Sequence, residues 1–314
     1  MDTIEQAPAS ALPDELPAKD RPGSVAASLV RLLRPHHWTK NLLCLAGVVF
    51  SGQYLAGWAV RAAFATVGVF CAAASSIYIV NDLVDRRRDQ AHPLKKSRPL
   101  PSGAVSVPTA VLLALVLGTG AVAAAVPLGV QTLACTALYI LLNLAYSFWL
   151  KHQPVIDVLS IALGFVLRMT AGVYAVRDIP TSWITLCTFF LSLYLAFVKR
   201  RSEVVGHGSG EAQRRPVLAH YTLEFLDQMV VASGAISILC YALFTTTSGK
   251  NLTLLVTVPI VVFGVMHYHR VTLRLPIGEE PERILLKDFK IQACLLLWLA
   301  SYVAILHFNP RLFR

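Results

Sequence analysis

Long apolar stretches alternate with short polar ones along nearly the whole chain after residue 30. A transmembrane helix needs about 20 predominantly apolar residues, and nine stretches approach that length. They predict an all-α integral membrane protein in which nine transmembrane helices form one bundle. The first stretch is short and is interrupted by Gly47, Gly52 and Gly57. The predicted spans are residues 42–58, 62–80, 106–126, 130–149, 155–176, 182–198, 228–246, 252–268 and 291–308.

The first 30 residues have a different composition, polar and rich in proline and alanine. They contain no basic segment leading into an apolar core, which a cleavable signal peptide would have. We therefore expect residues 1–30 to form a disordered tail on the cytoplasmic side and residues 31–314 to form a single membrane domain.

The composition agrees with a membrane protein and argues against a soluble one. Of the 314 residues, 55% are hydrophobic and 15% are charged, whereas soluble domains carry about 25% charged residues. All six cysteines fall inside apolar stretches, and none belongs to a CxxC pair or to a Cys/His cluster with metal spacing. Isolated buried thiols behave as small hydrophobic side chains, so neither a disulfide framework nor a zinc site is expected.

The distribution of basic residues predicts the orientation in the membrane. The chain has 28 Lys and Arg residues and a formal net charge of +10, and most of these residues lie in the N-terminal segment and in alternate loops. The positive-inside rule places that side in the cytoplasm. We expect a multi-pass protein of the inner (cytoplasmic) membrane, with its N-terminus inside and its C-terminus outside. Attraction to anionic membrane lipid also accounts for the charge, so no nucleic-acid partner is expected.

The most informative polar segment follows the second predicted span. Asn81, Asp85 and Asp89 are spaced i, i+4 and i+8, so on a continuing helix they share one face, with Asp82 beside them. This oxygen-rich stripe suits Mg²⁺, which prefers carboxylates and substrate phosphates as ligands. The alternative is a solvated helix end whose acids balance the arginines at 86–88. Acidic groups that begin at a membrane boundary favour a functional site.

Cations follow these acids at once, namely His92, Lys95, Lys96 and Arg98. Carboxylates that hold a metal, next to cations that hold phosphates, form a chemically coherent diphosphate site. The pattern NDxxDxxxD followed by HPxKxxRP resembles the first signature of the UbiA-type prenyltransferase superfamily. The resemblance covers nearly the whole chain after residue 30, and it implies a nine-helix catalytic domain whose central cavity opens to the cytoplasm.

Further segments resemble one branch of that superfamily, the decaprenyl-phosphate phosphoribosyltransferases. This resemblance implies transfer of 5-phosphoribose from phosphoribosyl pyrophosphate to a polyprenyl (decaprenyl) phosphate, with release of diphosphate and with Mg²⁺ as cofactor. It also implies a place on the route to a lipid-linked arabinose donor and cell-wall arabinan. The segments are RPHHWTKN from Arg34, YSFWLKHQ from Tyr146, GFVLR from Gly164 with Ala171 and Gly172, KRRSE from Lys199, and EEPE from Glu279 leading to LKD from Leu286.

One departure from the wider superfamily bears on the substrate. Aromatic prenyltransferases of the superfamily usually carry a second acidic motif, DxxxD, after the sixth span. Here that region has the cations Lys199, Arg200 and Arg201 instead. A second metal site on a prenyl diphosphate is therefore not expected, and a cationic pocket suits a substrate with an additional phosphate.

Residue chemistry and the resemblance together give the expected site. Lys40, Tyr146 and Lys151 lie where interfacial anchors are common, but the resemblance favours contacts to phosphate or sugar. Arg168 lies within a span, so an ion pair and a substrate contact are both open. Asp157 is three helical turns away from it, which favours separate roles. We expect catalytic roles for Asp85, Asp89, Lys40 and Lys151, metal binding by Asn81, Asp82, Asp85 and Asp89, and substrate binding by Lys40, Lys95, Arg98, Tyr146, Lys151, Arg168, Tyr194, Lys199, Arg200 and Glu203.

Two other functions are compatible with the spans. An aromatic prenyltransferase that makes a quinone or haem precursor would be favoured by DxxxD after the sixth span, which the sequence lacks. A membrane transporter would be favoured by acids within the membrane and by an inverted repeat. The strongest acids lie instead at the end of a span, and the sequence has no recognisable repeat. Whether the protein forms a homo-oligomer stays open.

Overall fold

The computed structural model describes residues 25–91, 95–206, 216–274, 284, 287–310 and 312–313. Within these residues every regular element is an α-helix or a 3₁₀ helix, which confirms the all-α prediction. The α-helices are α1 (Val25–Leu33), α2 (Ala46–Phe50), α3 (Gly57–Val84), α4 (Arg86–Gln90), α5 (Val107–Ala125), α6 (Val130–Phe148), α7 (Ile156–Ala175), α8 (Ser182–Gly206), α9 (Leu223–Thr247), α10 (Val258–Arg274) and α11 (Phe289–Phe308).

Eight helical segments of the described chain are long and apolar enough to cross a membrane. They coincide with eight of the nine predicted spans, beginning with the one predicted at 62–80. The prediction is too short where a helix continues into polar residues, as α3 and α8 both do at their C-terminal ends. The count of nine regular transmembrane helices is not confirmed.

The first predicted span, 42–58, is not one regular helix. α1 is followed by Arg34, whose φ of 53° is left-handed, and Pro35 begins a 3₁₀ helix that runs to Leu45. Proline has a fixed φ and no N–H, so it starts a new helical segment readily but cannot continue α1. The short α2 then adds only five residues. The regular helix predicted at 42–58 is therefore absent, and a broken helical segment takes its place.

This broken segment packs directly on the backbone of α7. A Cβ atom on Gly172 would lie 1.9 Å from the carbonyl oxygen of Cys44, and one on Gly47 would lie 2.1 Å from the carbonyl oxygen of Gly172. Small residues allow membrane helices to approach this closely. One of the glycines that interrupts the predicted span is therefore required for the contact with α7.

The last residues of the predicted N-terminal tail are helical. Residues 25–30 belong to α1, so the boundary expected at residue 30 falls inside a helix. The apolar residues of α1 recur every three to four positions, and Leu32 is buried in one cluster with Ile79 of α3 and Ala110 of α5. Residues 1–24 lie outside the described residues.

The long helices pack mainly on their neighbours in sequence. α3 packs on α5, α6 and α7; α7 packs on α6 and α8; α8 packs along α9, and α10 packs on α11. Side chains on the outer surfaces, such as Leu112 and Leu115 of α5 and Leu296 of α11, are apolar and exposed, as bilayer-facing surfaces are. The ends of α3, α6 and α8 meet the start of α7 at one end of the bundle, the Asp85 end.

Candidate active site

The acidic motif continues the helical path of α3 beyond the end of the span. The N–H of Asp85 donates to the carbonyl of Asn81 at 2.9 Å, and the N–H of Asp89 donates to the carbonyl of Asp85 at 2.9 Å. The path bends only at Asp85, which ends α3 and precedes α4 with φ −86° and ψ 0°. The helical stripe predicted for these three residues is therefore present.

Asp82 and Asp89 share one arginine. Nη1 of Arg98 lies 2.8 Å from Oδ2 of Asp89 and 3.3 Å from Oδ1 of Asp82. Arg34 donates to the same Asp82 oxygen, and Nζ of Lys95 lies 3.8 Å from Oδ1 of Asp89. Both carboxylates are buried, and a buried carboxylate is costly unless it has such partners. The segment after α4 therefore folds back over the end of α3.

Asp85 has a different partner. Nζ of Lys151 lies 2.8 Å and 3.0 Å from its two carboxylate oxygens. Lys151 is on a 3₁₀ turn, Leu150–His152, between α6 and α7. The side chain of Asp85 is 27% exposed, which makes it the most open of the three carboxylates. The fold thus joins two residues for which the sequence predicted catalytic roles.

A second network at the Asp85 end is almost completely buried. Arg200 of α8 donates through Nε to Oδ2 of Asp157 in α7 at 2.8 Å, and through Nη1 to Oε2 of Glu203 at 2.9 Å. The hydroxyl of Tyr146 in α6 accepts from Nη2 at 3.4 Å. Arg200 is 1% exposed and Asp157 is 0% exposed, so water does not screen this ion pair.

Two of the cations at residues 199–201, where the sequence predicts a cationic pocket, have acidic partners in the fold. The fold pairs Arg200 with two acids and pairs Arg201 with Asp227 of α9. Two of the three cations are therefore already paired with acids, and the expected binding of phosphate in this region stays a prediction. The sequence could not show this, because Asp157 lies 43 residues away from Arg200 and Asp227 lies 26 residues away from Arg201.

Among the described residues, the hydrogen-bond acceptors of Arg168 are all neutral. Its Nε donates to Oδ1 of Asn41 at 2.8 Å, its Nη2 to the hydroxyl of Tyr139 at 2.6 Å, and its Nη1 to the carbonyl of Gly164 at 3.0 Å. The guanidinium also lies over the Tyr139 ring, 4.5 Å from the centroid. Arg168 and Asp157 therefore have separate partners, as the sequence predicted.

The remaining predicted residues occupy different surroundings. Tyr194 is buried in the core between α8 and α10, where its hydroxyl donates to the carbonyl of Val265 at 3.2 Å. Lys40 is partly exposed on the 3₁₀ helix Pro35–Leu45, which the bond from Trp38 Nε1 to Ser75 Oγ (3.0 Å) anchors to α3. Lys199 is partly exposed near the end of α8. The structure therefore surrounds Tyr194 with protein, whereas both lysines reach the surface.

The Asp85 end fits Mg²⁺ together with a phosphorylated substrate. Within the described chain, no group of three or more acidic, His or Cys side chains could hold a metal ion by itself. Magnesium sites often use only one or two carboxylates, and substrate phosphates and water complete the octahedron. Asp85 and Asp89, one helical turn apart, supply that number, and the amide of Asn81 precedes them by another turn. Asp82 is already bonded to two arginines.

Comparison with known proteins decides the family. The profile of the UbiA prenyltransferase family matches residues 41–285. The chain belongs to this family. Among UbiA proteins it is 35% identical over 310 residues to the decaprenyl-phosphate phosphoribosyltransferase of Mycolicibacterium smegmatis (strain ATCC 700084 / mc(2)155), covering 93% of this chain and 96% of the relative. The protein of the same name from Mycobacterium tuberculosis (strain ATCC 25618 / H37Rv) is 30% identical over 299 residues, covering 92% and 97%.

The fold is also that of solved UbiA proteins. A UbiA homologue from Archaeoglobus fulgidus, bound to GPP and Mg²⁺, superimposes with a TM-score of 0.72 at 21% identity, covering 89% of this chain and 99% of that one. The same homologue bound to DMAPP and Mg²⁺ gives a TM-score of 0.71. The solved structures thus confirm the fold, and the family profile and the sequence relatives confirm the resemblance inferred from the acidic motif and the branch segments.

Sequence reasoning missed two residues of the Asp85 end. Arg34, which bonds to Asp82, was visible only as the first residue of the segment that contains Lys40. Tyr221 bonds to Asp157 at 2.6 Å, and it lies in a connection between helices where no pattern marked it. The motif residues His92 and Pro93, the acids Glu279, Glu280 and Glu282, and Leu286 lie outside the described residues.

Proposed function

We propose that this UbiA-family protein transfers 5-phosphoribose from phosphoribosyl pyrophosphate to a polyprenyl (decaprenyl) phosphate and releases diphosphate. The observation that carries the proposal is a surplus of cations around the motif acids. Both substrates are phosphorylated, and charge-assisted bonds to phosphate are strong. Relatives named decaprenyl-phosphate phosphoribosyltransferase, which match most of the chain, support the same reaction. The acids are Asp82, Asp85 and Asp89, and the cations paired with them are Arg34, Lys95, Arg98 and Lys151.

Asp85 and Asp89, with the amide oxygen of Asn81, would hold Mg²⁺ against the diphosphate of the donor. Bound there, the metal offsets the negative charge that develops on the leaving diphosphate. Asp82 is committed to Arg34 and Arg98, so we assign it the positioning of those cations. Asp89 would bind the metal while it keeps its bond to Arg98, and Asp82 would organise the two arginines.

The cations at the Asp85 end can bind phosphate while they keep their acidic partners. An ammonium group has three donor hydrogens, so Lys151 can bond to Asp85 and to a phosphate oxygen together. The described bonds of Arg98 use only Nη1, which leaves Nε and Nη2 for phosphate. Lys40, Lys95 and Lys199 would neutralise the remaining phosphate charge.

The reaction forms one bond and breaks one. An oxygen of the lipid phosphate bonds to the anomeric carbon of the ribose, while the bond from that carbon to the diphosphate oxygen breaks and its electron pair leaves with the diphosphate. A phosphate monoester has a second pKa of about 6, so the attacking oxygen is already ionised and needs no general base. Lys151, Arg98 and Lys95 position the phosphates and stabilise the diphosphate charge.

We further propose that the Asp85 end and the N-terminus face the cytoplasm, because basic residues concentrate there. The segment Pro35–Phe50 would then supply a ninth crossing. It begins next to Arg34, which contacts Asp82, and it ends at Phe50, whose carbonyl accepts from Lys250 beyond the far end of α9. Nine crossings place the C-terminus outside. A central cavity would admit the soluble donor from the cytoplasm and the lipid acceptor from the inner leaflet.

The decisive experiment is a transfer assay on the purified protein in detergent. It combines radiolabelled phosphoribosyl pyrophosphate, decaprenyl phosphate and Mg²⁺, and it measures label in the lipid extract with and without EDTA. We expect lipid-bound label only with metal. Asp85→Asn and Asp89→Asn should abolish it, whereas Asp178→Asn, at the opposite end of α7, should not. Absence of transfer, together with prenylation of an aromatic acceptor from a prenyl diphosphate, would assign the protein to the aromatic prenyltransferases.

A further inference from the structure

The turn that carries Lys151 into α7 has an uncommon backbone conformation. Val155 has φ 67° and ψ −44°, and the N–H of Ile156 donates to the carbonyl of Pro154 at 2.8 Å. This bond over two residues, with a positive φ at the centre, defines a γ-turn of the rare and strained type. A β-branched residue is particularly unfavourable at positive φ. Such a conformation persists only where surrounding contacts enforce it.

The contact that enforces this turn comes from Tyr221. Its hydroxyl oxygen accepts the N–H of Val155 at 2.6 Å, and the same hydroxyl donates to Oδ1 of Asp157 at 2.6 Å. Asp157 is itself held through Oδ2 by the buried Arg200. Tyr221 is buried in the core with Leu226 and Val230 of α9, so its ring is fixed by packing. Burial raises the pKa of the Tyr221 hydroxyl, which therefore keeps the proton it donates.

The turn determines where Lys151 lies. Only Gln153 and Pro154 separate the 3₁₀ turn Leu150–His152 from Val155, and the N–H of Asp157 donates to the carbonyl of Gln153 at 3.0 Å. A change of φ at Val155 would therefore redirect the chain at Lys151. Lys151 meets the Asp85 carboxylate with both oxygens within 3.0 Å, a geometry that tolerates little displacement.

We propose that Tyr221 is a positioning residue of the active site, because its hydroxyl holds the strained turn at Val155 and so keeps Lys151 against Asp85. The bond between Tyr221 and the turn stands on the geometry alone. Its consequence for catalysis rests on the proposed function, in which Lys151 and Asp85 bind the donor diphosphate.

The first test measures the position of Lys151 without any assay of activity. Purified protein in detergent is treated with an amine-acetylating reagent, and the acetylation rate of Lys151 is measured by mass spectrometry relative to the exposed Lys96. Tyr221→Phe should raise the acetylation rate of Lys151 by about tenfold. Without the hydrogen bond between Tyr221 and Val155 the turn can move, and the Lys151 ammonium then separates from Asp85. The matched control is Tyr268→Phe, since the buried Tyr268 hydroxyl makes no hydrogen bond within the described chain. An unchanged Lys151 rate in Tyr221→Phe overturns the proposal.

The second test separates positioning from a general loss of folded protein. A merely structural defect lowers kcat through fewer active molecules, whereas a displaced Lys151 should raise the KM for phosphoribosyl pyrophosphate by about fivefold or more. Adding Val155→Gly should restore much of the affinity in Tyr221→Phe, because glycine adopts positive φ without strain. A Tyr221→Phe variant with lower kcat, unchanged KM and no rescue by glycine contradicts a positioning role. If wild-type protein transfers no phosphoribose at all, the proposed reaction fails while the acetylation test of Tyr221 remains decisive.

Discussion

Lys151 and Asp85 form a bidentate contact across 66 residues of sequence, with Nζ 2.8 Å and 3.0 Å from the two carboxylate oxygens. The contact links the acidic motif at the end of α3 to the turn between α6 and α7. Both side chains are partly exposed to solvent: the exposed fraction is 14% for Lys151 and 27% for Asp85. A pair that is neither buried nor fully solvated can exchange carboxylate for phosphate, which suits a substrate site.

The Lys151 ammonium should matter for transfer more than for folding. We expect Lys151→Gln to lower kcat/KM for phosphoribosyl transfer by about 10²-fold, the usual effect of removing one charge-stabilising donor. Lys151→Arg should retain more activity because it keeps the charge. The measurement is label transfer from phosphoribosyl pyrophosphate to lipid under Mg²⁺. Arg61→Gln, which removes an exposed arginine at the opposite end of α3, is the control and should stay near wild type.

Asp82 should contribute chiefly to stability. Asp82→Asn leaves Arg34 and Arg98 without their shared carboxylate, and we expect a loss of about 2 kcal/mol, below the 3–5 kcal/mol of a fully buried pair because Arg98 is partly exposed. Asp85→Asn should leave the melting temperature almost unchanged while activity is lost. Thermal unfolding in detergent, run on both variants, distinguishes the two roles. Equal melting temperatures for the two variants would contradict this division.

The backbone of the first segment lies so close to α7 that adding a single methyl group at Gly172 should destabilise the fold. A Cβ on Gly172 would lie 1.9 Å from the Cys44 carbonyl oxygen, and a backbone oxygen cannot rotate away. We expect Gly172→Ala to cost at least about 3 kcal/mol or to prevent folding. Gly120→Ala in α5, where a Cβ would meet nothing within 4 Å, should stay within about 1 kcal/mol of wild type. Yield and thermal unfolding of the two variants test the difference.

We expect the stability of the folded protein to depend on pH through the carboxylate of Asp288. The N–H of Ile291 and the ring of His267 both bond to its carboxylate, and they hold the pKa of Asp288 below its usual value. The ionised form is thus favoured in the folded protein. Its contribution is complete above the ordinary pKa of about 3.9 and is lost as the pH falls through the lower folded value.

The corresponding measurement compares wild type with Asp288→Asn, which keeps a capping oxygen but removes the charge. The wild type should melt at the higher temperature near pH 6, and the difference should shrink as the pH falls from about 5 to about 3. A difference that grows on acidification would mean that the carboxylate does not carry the effect.

Much of this fold could be predicted because span length and polarity are local properties. The eight long helices appear where apolar stretches predict them, and the stripe of Asn81, Asp85 and Asp89 follows from helical spacing alone. The family resemblance came from the same local motif. These features need no knowledge of which helices are neighbours.

The partners of the charged residues could not be predicted in the same way. Arg200 has an acid three residues later, which spacing can suggest, but its buried partner Asp157 belongs to another helix. Likewise, nothing local to Lys151 identifies Asp85. The break at Arg34 and Pro35 depends on how the segment packs on α7. Hydropathy alone therefore predicts a regular transmembrane helix at 42–58. Tertiary contacts decide these points, and one sequence contains no direct record of them.

The broken first segment has a consequence for synthesis in the cell. Its polar residue Asn41 receives a hydrogen bond from Arg168, which lies 127 residues later, and its glycine contact is with the same helix, α7. A ribosome that has made the chain only as far as the end of α3 has not yet made either partner. The contacts of this segment with α7 can therefore form only after more than half of the protein has been translated.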